Sequence, residues 1–328
     1  MDYTIVIANY NGKHLLDVCL SSLTTQVKDR SRIIVVDNGS VDGSIDHMRR
    51  NWPGVTTLPM DSNTGFTGAN NAGAALSDSE IIVLLNNDTR VAPHWLEKLL
   101  IPLQDHSVGA VTSSMRRMGD LSIMDSAGGF LDSLGYAFDI GRGEPASKWQ
   151  MADEILFPCG GAMAVRRSAL EDGHTIFWKT LFLYNEDTDL GLRLWENGHR
   201  VVYQPEAVVE HAFSATAGRN SPLKMRYSTR NRILILKKHL GAEFSRVSSE
   251  LALWETMALG FMLTSGQLRR FRISLSAARE GFSTKVEPYG RSVKAMELYA
   301  RFMQPTKGSY IRRKIGDSLH NRISSPGS

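Results

Sequence analysis

The chain has 328 residues, 42% hydrophobic and 22% charged, the composition of an ordinary folded protein with room for one large domain plus an appendage. Only Cys19 and Cys159 are present, which excludes a disulfide scaffold and suits a reducing cytosol; Met1-Asp2-Tyr3 lacks the basic start of a signal peptide. The net charge of +4 hides an asymmetry: residues 219–328 hold 21 Lys and Arg against 7 Asp and Glu, a net +14, while the rest carries −10, so the C-terminal third is expected to meet an anionic partner.

In chain order, Tyr3 to Ala8 reads as a strand, followed by the loop Asn9-Tyr10-Asn11-Gly12. His14 to Leu23 has helical spacing. Arg32 to Val36 is a second strand ending in Asp37-Asn38-Gly39-Ser40, and Ser44 to Asn51 a helix. Thr56 to Met60 is a third strand, Gly68 to Leu76 a small-residue helix, and Ile81 to Leu85 a buried strand ending in Asn86-Asn87-Asp88. Pro93 to Gln104 reads as a helix with Pro93 in its first turn. This alternation predicts a doubly wound, mostly parallel α/β sheet.

The middle is less regular. Gly119 to Ser147 reads as loop or an irregular β insertion, Glu154 to Val165 as a strand around Gly160-Gly161, and Phe182 to Asn197 as a charged turn and then a helix. Arg200 to Pro205 is the last strand. Helical patterns follow from about Arg226: Asn231 to Leu240, Ser248 to Leu263 and Leu268 to Arg279. Leu251 to Leu263, with Glu255 inside, is too short to span a bilayer. It is either a buried helix or one lying in a membrane surface; Arg269, Arg270 and Arg272 just beyond it suit the second.

Three strand ends carry short polar side chains, which turns also favour. In a doubly wound sheet they converge where ligands bind. Tyr10 could stack on a base, Asp37 bind base or ribose, and Asp88 hold a divalent cation that holds a diphosphate. No Gly-x-Gly-x-x-Gly and no Walker lysine is present, so a Rossmann dehydrogenase and a P-loop enzyme are unsupported.

These segments resemble the inverting family 2 glycosyltransferases of the GT-A fold, with a rhamnosyltransferase-like flavour. The likeness is carried by Ile5 to Gly12, Val35 to Ser44, Asn63 to Gly73, and Asn86-Asn87-Asp88, which matches the Asp-x-Asp motif with its first Asp replaced by Asn. Pro158 to Arg167 and Asn185-Glu186-Asp187-Thr188-Asp189-Leu190-Gly191-Leu192-Arg193 continue it, so the motifs span about residues 3–240. The resemblance implies a GT-A domain over 1–240, with a nucleotide-binding half of about 1–110 and an acceptor half of about 111–240. A basic helical region, 241–328, would follow as a membrane or dimer contact.

It further implies nucleotide contacts from Asn9, Tyr10, Asp37, Asn63, Gly68, Asn70, Asn87 and Asp88. Asp88 and His211 would hold a divalent metal, Mg2+ or Mn2+, although His211 alone is more often structural. Gly161, Arg226 and Arg230 would meet the acceptor or diphosphate, the arginines otherwise being a solvated helix face. By position Asp187 is the general base, with Glu186 and Asp189 as alternatives; the bland alternative is an acidic helix start.

The function implied is transfer of a sugar from a nucleotide donor, dTDP-rhamnose ahead of a UDP-sugar. The acceptor would be a glycan or polyprenyl-linked glycolipid of bacterial cell-surface polysaccharide synthesis, met at the cytoplasmic face of the membrane through peripheral contact with anionic lipid. An idle nucleotide-sugar-binding scaffold is the alternative, against which Asp88 and Asp187 count. Nucleic acid is not an expected partner, because the basic tail shows no aromatic stacking platform.

Overall fold

The computed structural model describes residues 1–132, 134–212 and 221–289, together with Leu298. Its elements run β1 (Tyr3–Asn9), α1 (Lys13–Thr24), β2 (Ile33–Asp37), α2 (Ser44–Asn51), β3 (Thr56–Pro59), α3 (Gly65–Ala74), β4 (Ile81–Leu85), β5 (Thr89–Val91), α4 (Trp95–Leu100), β6 (Val108–Arg117), β7 (Asp120–Ser126), β8 (Gly129–Leu131), β9 (Ala137–Asp139), β10 (Asp153–Glu154), β11 (Ala162–Arg166), α5 (Glu186–Glu196), β12 (Arg200–His211), α6 (Pro222–Leu240), α7 (Phe244–Thr264) and α8 (Leu268–Ser283).

The main sheet has the order β10-β12-β6-β11-β4-β1-β2-β3, with β5 on β12 and β7 on β6. Strands β3, β2, β1 and β4 are mutually parallel. Their near-continuous aliphatic runs follow from burial on both faces: every residue of β2 and β4 is buried. The first half is therefore the doubly wound unit that the alternation predicts. The second half departs from it, because β11 runs antiparallel between β4 and β6. The helix α3 lies close on the sheet because its residues are small; a Cβ on Gly73 would collide with Val6 and Val36.

Boundaries differ from the sequence expectations in instructive ways. Pro93 lies before its helix: His94, at φ 61°, is the cap and α4 starts at Trp95, after which Ile101–Gln104 continues as a 3₁₀ turn. The segment 119–147 is the β insertion rather than loop, with β8 and β9 forming a separate hairpin. The expected strand over 154–165 is broken into β10 and β11. The last strand continues past Pro205 to His211 through a register shift between Gln204 and Val208. That extension matters, because it delivers His211 to the site.

The helix α6 begins at Pro222, capped by the Ser221 hydroxyl accepting from the Lys224 N–H at 3.1 Å. Its inner face joins Leu181, Leu192, Leu251 and Ala278 in one apolar cluster through Ile233, Leu236 and Leu240. The C-terminal helices are thereby packed on the sheet-bearing body. Among the described residues no helix is long and apolar enough to cross a membrane. The end of the chain, where fraying is expected from Ser324, lies outside the described residues.

Candidate active site

Parallel pairing puts Asn9 opposite Asp37 at the C-terminal ends of β1 and β2. Asn9 bridges the strand ends: its amide donates to Asp37 Oδ2 at 3.1 Å, and its carbonyl oxygen accepts from the Asn87 amide at 2.8 Å. Above them lies a cavity of about 310 Å3 whose lining includes Asn9, Tyr10, Asn38, Asn63, Phe66, Asn87, Asp88 and His211. Tyr10 is 41% exposed, free to stack on a planar ligand. Asn38, absent from the sequence expectations, holds the far wall. It donates to Asn63 Oδ1 at 3.1 Å and accepts from the Thr64 N–H at 2.9 Å.

Asp37 itself is buried and accepts the Ser40 N–H at 2.9 Å; it braces the loop and does not line the cavity. Asn70 turns its amide back to the Phe66 carbonyl at 2.8 Å, and Gly68 faces Thr64. Both shape α3 rather than meeting a ligand in this cavity.

Asp88 is buried, and its Oδ1 makes no hydrogen bond; His211 Nε2 lies 3.4 Å from it. The other ring nitrogen, Nδ1, is 2.6 Å from Asp125 Oδ2 on β7. Burial alone would lower the His211 pKa, but the carboxylates of Asp125 and Asp88 outweigh it and push it up to about 9. Asp125 in turn pairs with Arg142 at 3.3 Å, and Arg142 pairs with Asp139.

Asp88 and His211 suit a divalent cation. The buried Asp88 carboxylate is paired with an imidazole whose second nitrogen is fixed by a carboxylate, the usual support for a metal-bound histidine; a cation would take the place of the ring proton that faces Asp88. Asp88 Oδ1 and His211 Nε2 are 3.4 Å apart, near enough for one cation to touch both. Among the described residues no group of three His, Cys, Asp or Glu could hold a metal unaided, so the remaining ligands would come from a bound phosphate or water.

A second cavity, of about 190 Å3, adjoins the first: Tyr184 and Lys224 line both. Asp187 and Asp139 open onto it, with Arg142 and Arg232. Asp187, in the first turn of α5, accepts the Gly160 N–H at 3.3 Å. Burial raises its pKa, against the Gly160 hydrogen bond and with help from Asp139. Glu186 is raised as well, first by burial and then by the charge of Asp187, but it lines neither cavity.

Asp189 is fully buried among Arg193, Lys238 and His239, at 2.9, 2.7 and 3.0 Å. Such a carboxylate joins helices and has no open side from which to take a substrate proton.

The approach to α5 is strained. Tyr184 and Asn185 have φ of 68° and 67°, a left-handed conformation that is uncommon for a bulky residue. Asn231, fully buried on α6, donates to the Leu183 and Tyr184 carbonyls at 2.9 and 2.8 Å. This clamp aims Tyr184 at the junction of the cavities.

The other expected diphosphate residues lie elsewhere. Gly161 accepts the Asn86 N–H at 2.8 Å and packs on Met115; its neighbour Gly160 is the one that meets Asp187. Arg226 and Arg230 both pair with Glu280 of α8, at 3.1 and 2.6 Å. Among the described residues, the Lys and Arg side chains lining the cavities are Lys224, Arg142 and Arg232. Lys224 stands two residues before Arg226, so the basic segment marked the helix end that borders the cavities. Asp125, Asp139 and Arg142 gave no such signal, since the insertion that carries them has no recognisable period.

Residues 4–173 match the family model described as Glycosyl transferase family 2. The chain is 27% identical over 239 residues to an N-acetylglucosaminyl-diphospho-decaprenol L-rhamnosyltransferase of Mycobacterium tuberculosis, covering 66% of this chain and 78% of that protein. It is 25% identical over 217 residues to an N-acetylglucosaminyltransferase of Rhizobium meliloti, covering 62% of this chain and 50% of that one. Among solved structures it resembles GalNAc-T7 with UDP, GalNAc and Mn2+, at TM-score 0.61 and 15% identity over 92% of this chain and 58% of that chain. It also resembles the mannosyltransferase PcManGT from Pyrobaculum calidifontis in complex with GDP-Man and Mn2+, at TM-score 0.53 and 17% identity over 86% and 87%. At these identities the two structures speak for the fold alone, which is GT-A.

Proposed function

The chain belongs to glycosyl transferase family 2 and is a glycosyltransferase, and from that premise we propose that it is an inverting enzyme. It moves rhamnose from dTDP-rhamnose to a polyprenyl-diphosphate-linked glycan of cell-surface polysaccharide synthesis, with a UDP-sugar as the second choice of donor. The donor occupies the cavity of Asn9, Tyr10 and Asp88, and the acceptor that of Asp187. The observation that carries this is the shared rim: Tyr184 and Lys224 border both cavities, so a transferred group passes between them without leaving the protein. The rhamnosyltransferase name of the 27% identical relative supports the sugar and the lipid-linked acceptor.

Asp187 is the general base. A carboxylate whose pKa is raised by burial takes up a proton more readily than a solvated one. It removes the proton from the acceptor hydroxyl as that oxygen attacks the anomeric carbon, and the Gly160 N–H keeps the carboxylate aimed. Asp88 and His211 would hold a divalent cation, which when bound would neutralise charge on the departing diphosphate. Lys224 adds a positive charge at the same rim.

The test is release of nucleoside diphosphate by the purified protein from a panel of nucleotide sugars, with a polyprenyl-diphosphate-linked N-acetylglucosamine as acceptor. We expect dTDP from dTDP-rhamnose to exceed every other release. Absence of acceptor-dependent release from any donor would overturn the catalytic reading in favour of a binding scaffold.

A further inference from the structure

The helix α7 is inside out. Its buried face carries a charge: Glu255, 3% exposed, pairs with Arg232 and accepts the Tyr136 hydroxyl at 2.8 Å. Beyond its first two turns, where Arg246 and Glu250 are exposed, its exposed face carries none. Leu253, Met257 and Phe261 are 59%, 50% and 37% exposed, and their spacing of four puts them in one stripe. Ala252, Thr256, Gly260, Leu263 and Thr264 are exposed on either side of it. Between Glu250 and Arg269 the sequence has no charged residue except the buried Glu255. From Leu251 to Thr264, about half of the helix circumference is therefore an uncharged, largely apolar surface, of the kind that soluble monomers rarely leave open.

Two observations say what covers it. The neighbouring helix is basic: Arg269, Arg272 and Arg279 are exposed on α8, and the sequence from 219 onward nets +14. A second copy of the chain would bring the same positive charge against itself, whereas an anionic bilayer is complementary. The position is also specific. Tyr136 and Arg232, which hold Glu255, line the cavity of Asp187. The apolar stripe thus lies one helix diameter, roughly 10 Å, behind the wall of that cavity.

We propose that the outer face of α7 docks on anionic membrane, sinking Leu253, Met257 and Phe261 among the acyl chains while the α8 arginines meet lipid phosphates. Resting on the lipid-linked acceptor of the function proposed above, this places the Asp187 cavity where a polyprenyl diphosphate emerges from the bilayer.

The experiment uses the full-length protein without donor or acceptor, sedimented with phosphatidylglycerol-containing vesicles or with phosphatidylcholine vesicles. The wild type should bind the anionic vesicles at low salt, less at high salt because exposed charges are screened, and the neutral ones poorly. Met257→Glu with Phe261→Glu should reduce the bound fraction about tenfold or more, since charge on the apolar face opposes insertion. Leu253→Glu, further along the stripe, is the second variant should the double one unfold.

Turnover of a water-soluble acceptor lacking the lipid tail should be unchanged in these variants. Vesicle binding is read without substrates and turnover without vesicles, so either reading can fail alone. A wild type that ignores anionic vesicles at low salt, or variants that bind them as well as the wild type does, would overturn the docking. So would a wild-type dimer that the substitutions dissociate, which would make a second copy the occupant.

Discussion

Asp125 Oδ2 lies 2.6 Å from His211 Nδ1, and this one contact decides which nitrogen of the ring faces Asp88. Loss of such a supporting carboxylate ordinarily costs about 10–100-fold in metal affinity. Asp125→Asn should therefore weaken Mn2+ binding on that scale when titrated calorimetrically in the presence of dTDP. Asp88→Ala and chelation by EDTA should both suppress transfer strongly. Full activity after chelation, with near-normal Asp88→Ala, would rule out a metal-assisted reaction.

Asp187→Asn keeps the size of the side chain and removes its basicity. kcat should fall about 10²–10⁴-fold while the dissociation constant for donor stays within a few-fold. Because burial raises the Asp187 pKa, the rate should fall with decreasing pH already above the ordinary carboxylate range. A variant with near-normal kcat would move the role to Glu186.

The buried cluster on α5 and α6 predicts the pH dependence of stability. Burial by itself raises the Asp189 pKa, but Arg193, His239 and Lys238 outweigh it and hold it well below the ordinary range. Its contribution is therefore present above the unfolded carboxyl value and lost as pH falls through the folded one. His239 is lowered by burial but raised further by Asp189 and Glu196. Its contribution is present below the unfolded imidazole value and lost as pH rises through the folded one. Asp189→Asn strands the buried cations and should cost about 3–5 kcal/mol in urea unfolding at neutral pH, with a flatter acid limb. An unchanged midpoint would mean that the network contributes nothing.

Asn231→Ala removes both amide bonds from the strained Tyr184 turn. A fully buried carbonyl left unsatisfied costs about 1–3 kcal/mol; these two are part-buried, so the unfolding midpoint should drop by less than that for each. Relaxation of φ at Tyr184 should also lower kcat in the folded fraction. Loss of stability with normal kcat would show that the turn does not govern the site.

The nucleotide side of the fold was legible because it is local. Aliphatic runs ending in Asn9, Asp37 and Asp88 mark parallel strands, and Asx clusters mark their C-terminal ends. The helix start that carries Asp187 was legible from its acidic run. What stayed hidden is carried by distant pairings. The insertion of β11 between β4 and β6 leaves no trace in β4, which reads as a buried run whatever its partner, and Val108–Arg117 is not among the strands expected from the sequence. Arg226 and Arg230 looked like free cations because Glu280, their partner, lies two helices later. Asp125 reaches His211 only through the β6–β7 pairing and the bulged end of β12.

That insertion has a consequence for biosynthesis. Until Ala162–Arg166 leaves the ribosome, β4 has no neighbour on one side, and Ile-Ile-Val-Leu-Leu is a bare edge of high β-propensity. Such edges template intermolecular pairing, and pairing across a long stretch of chain is slow. A nascent or truncated chain ending near residue 110 should therefore need a chaperone to stay in solution, whereas one reaching past residue 166 has the means to close its own sheet.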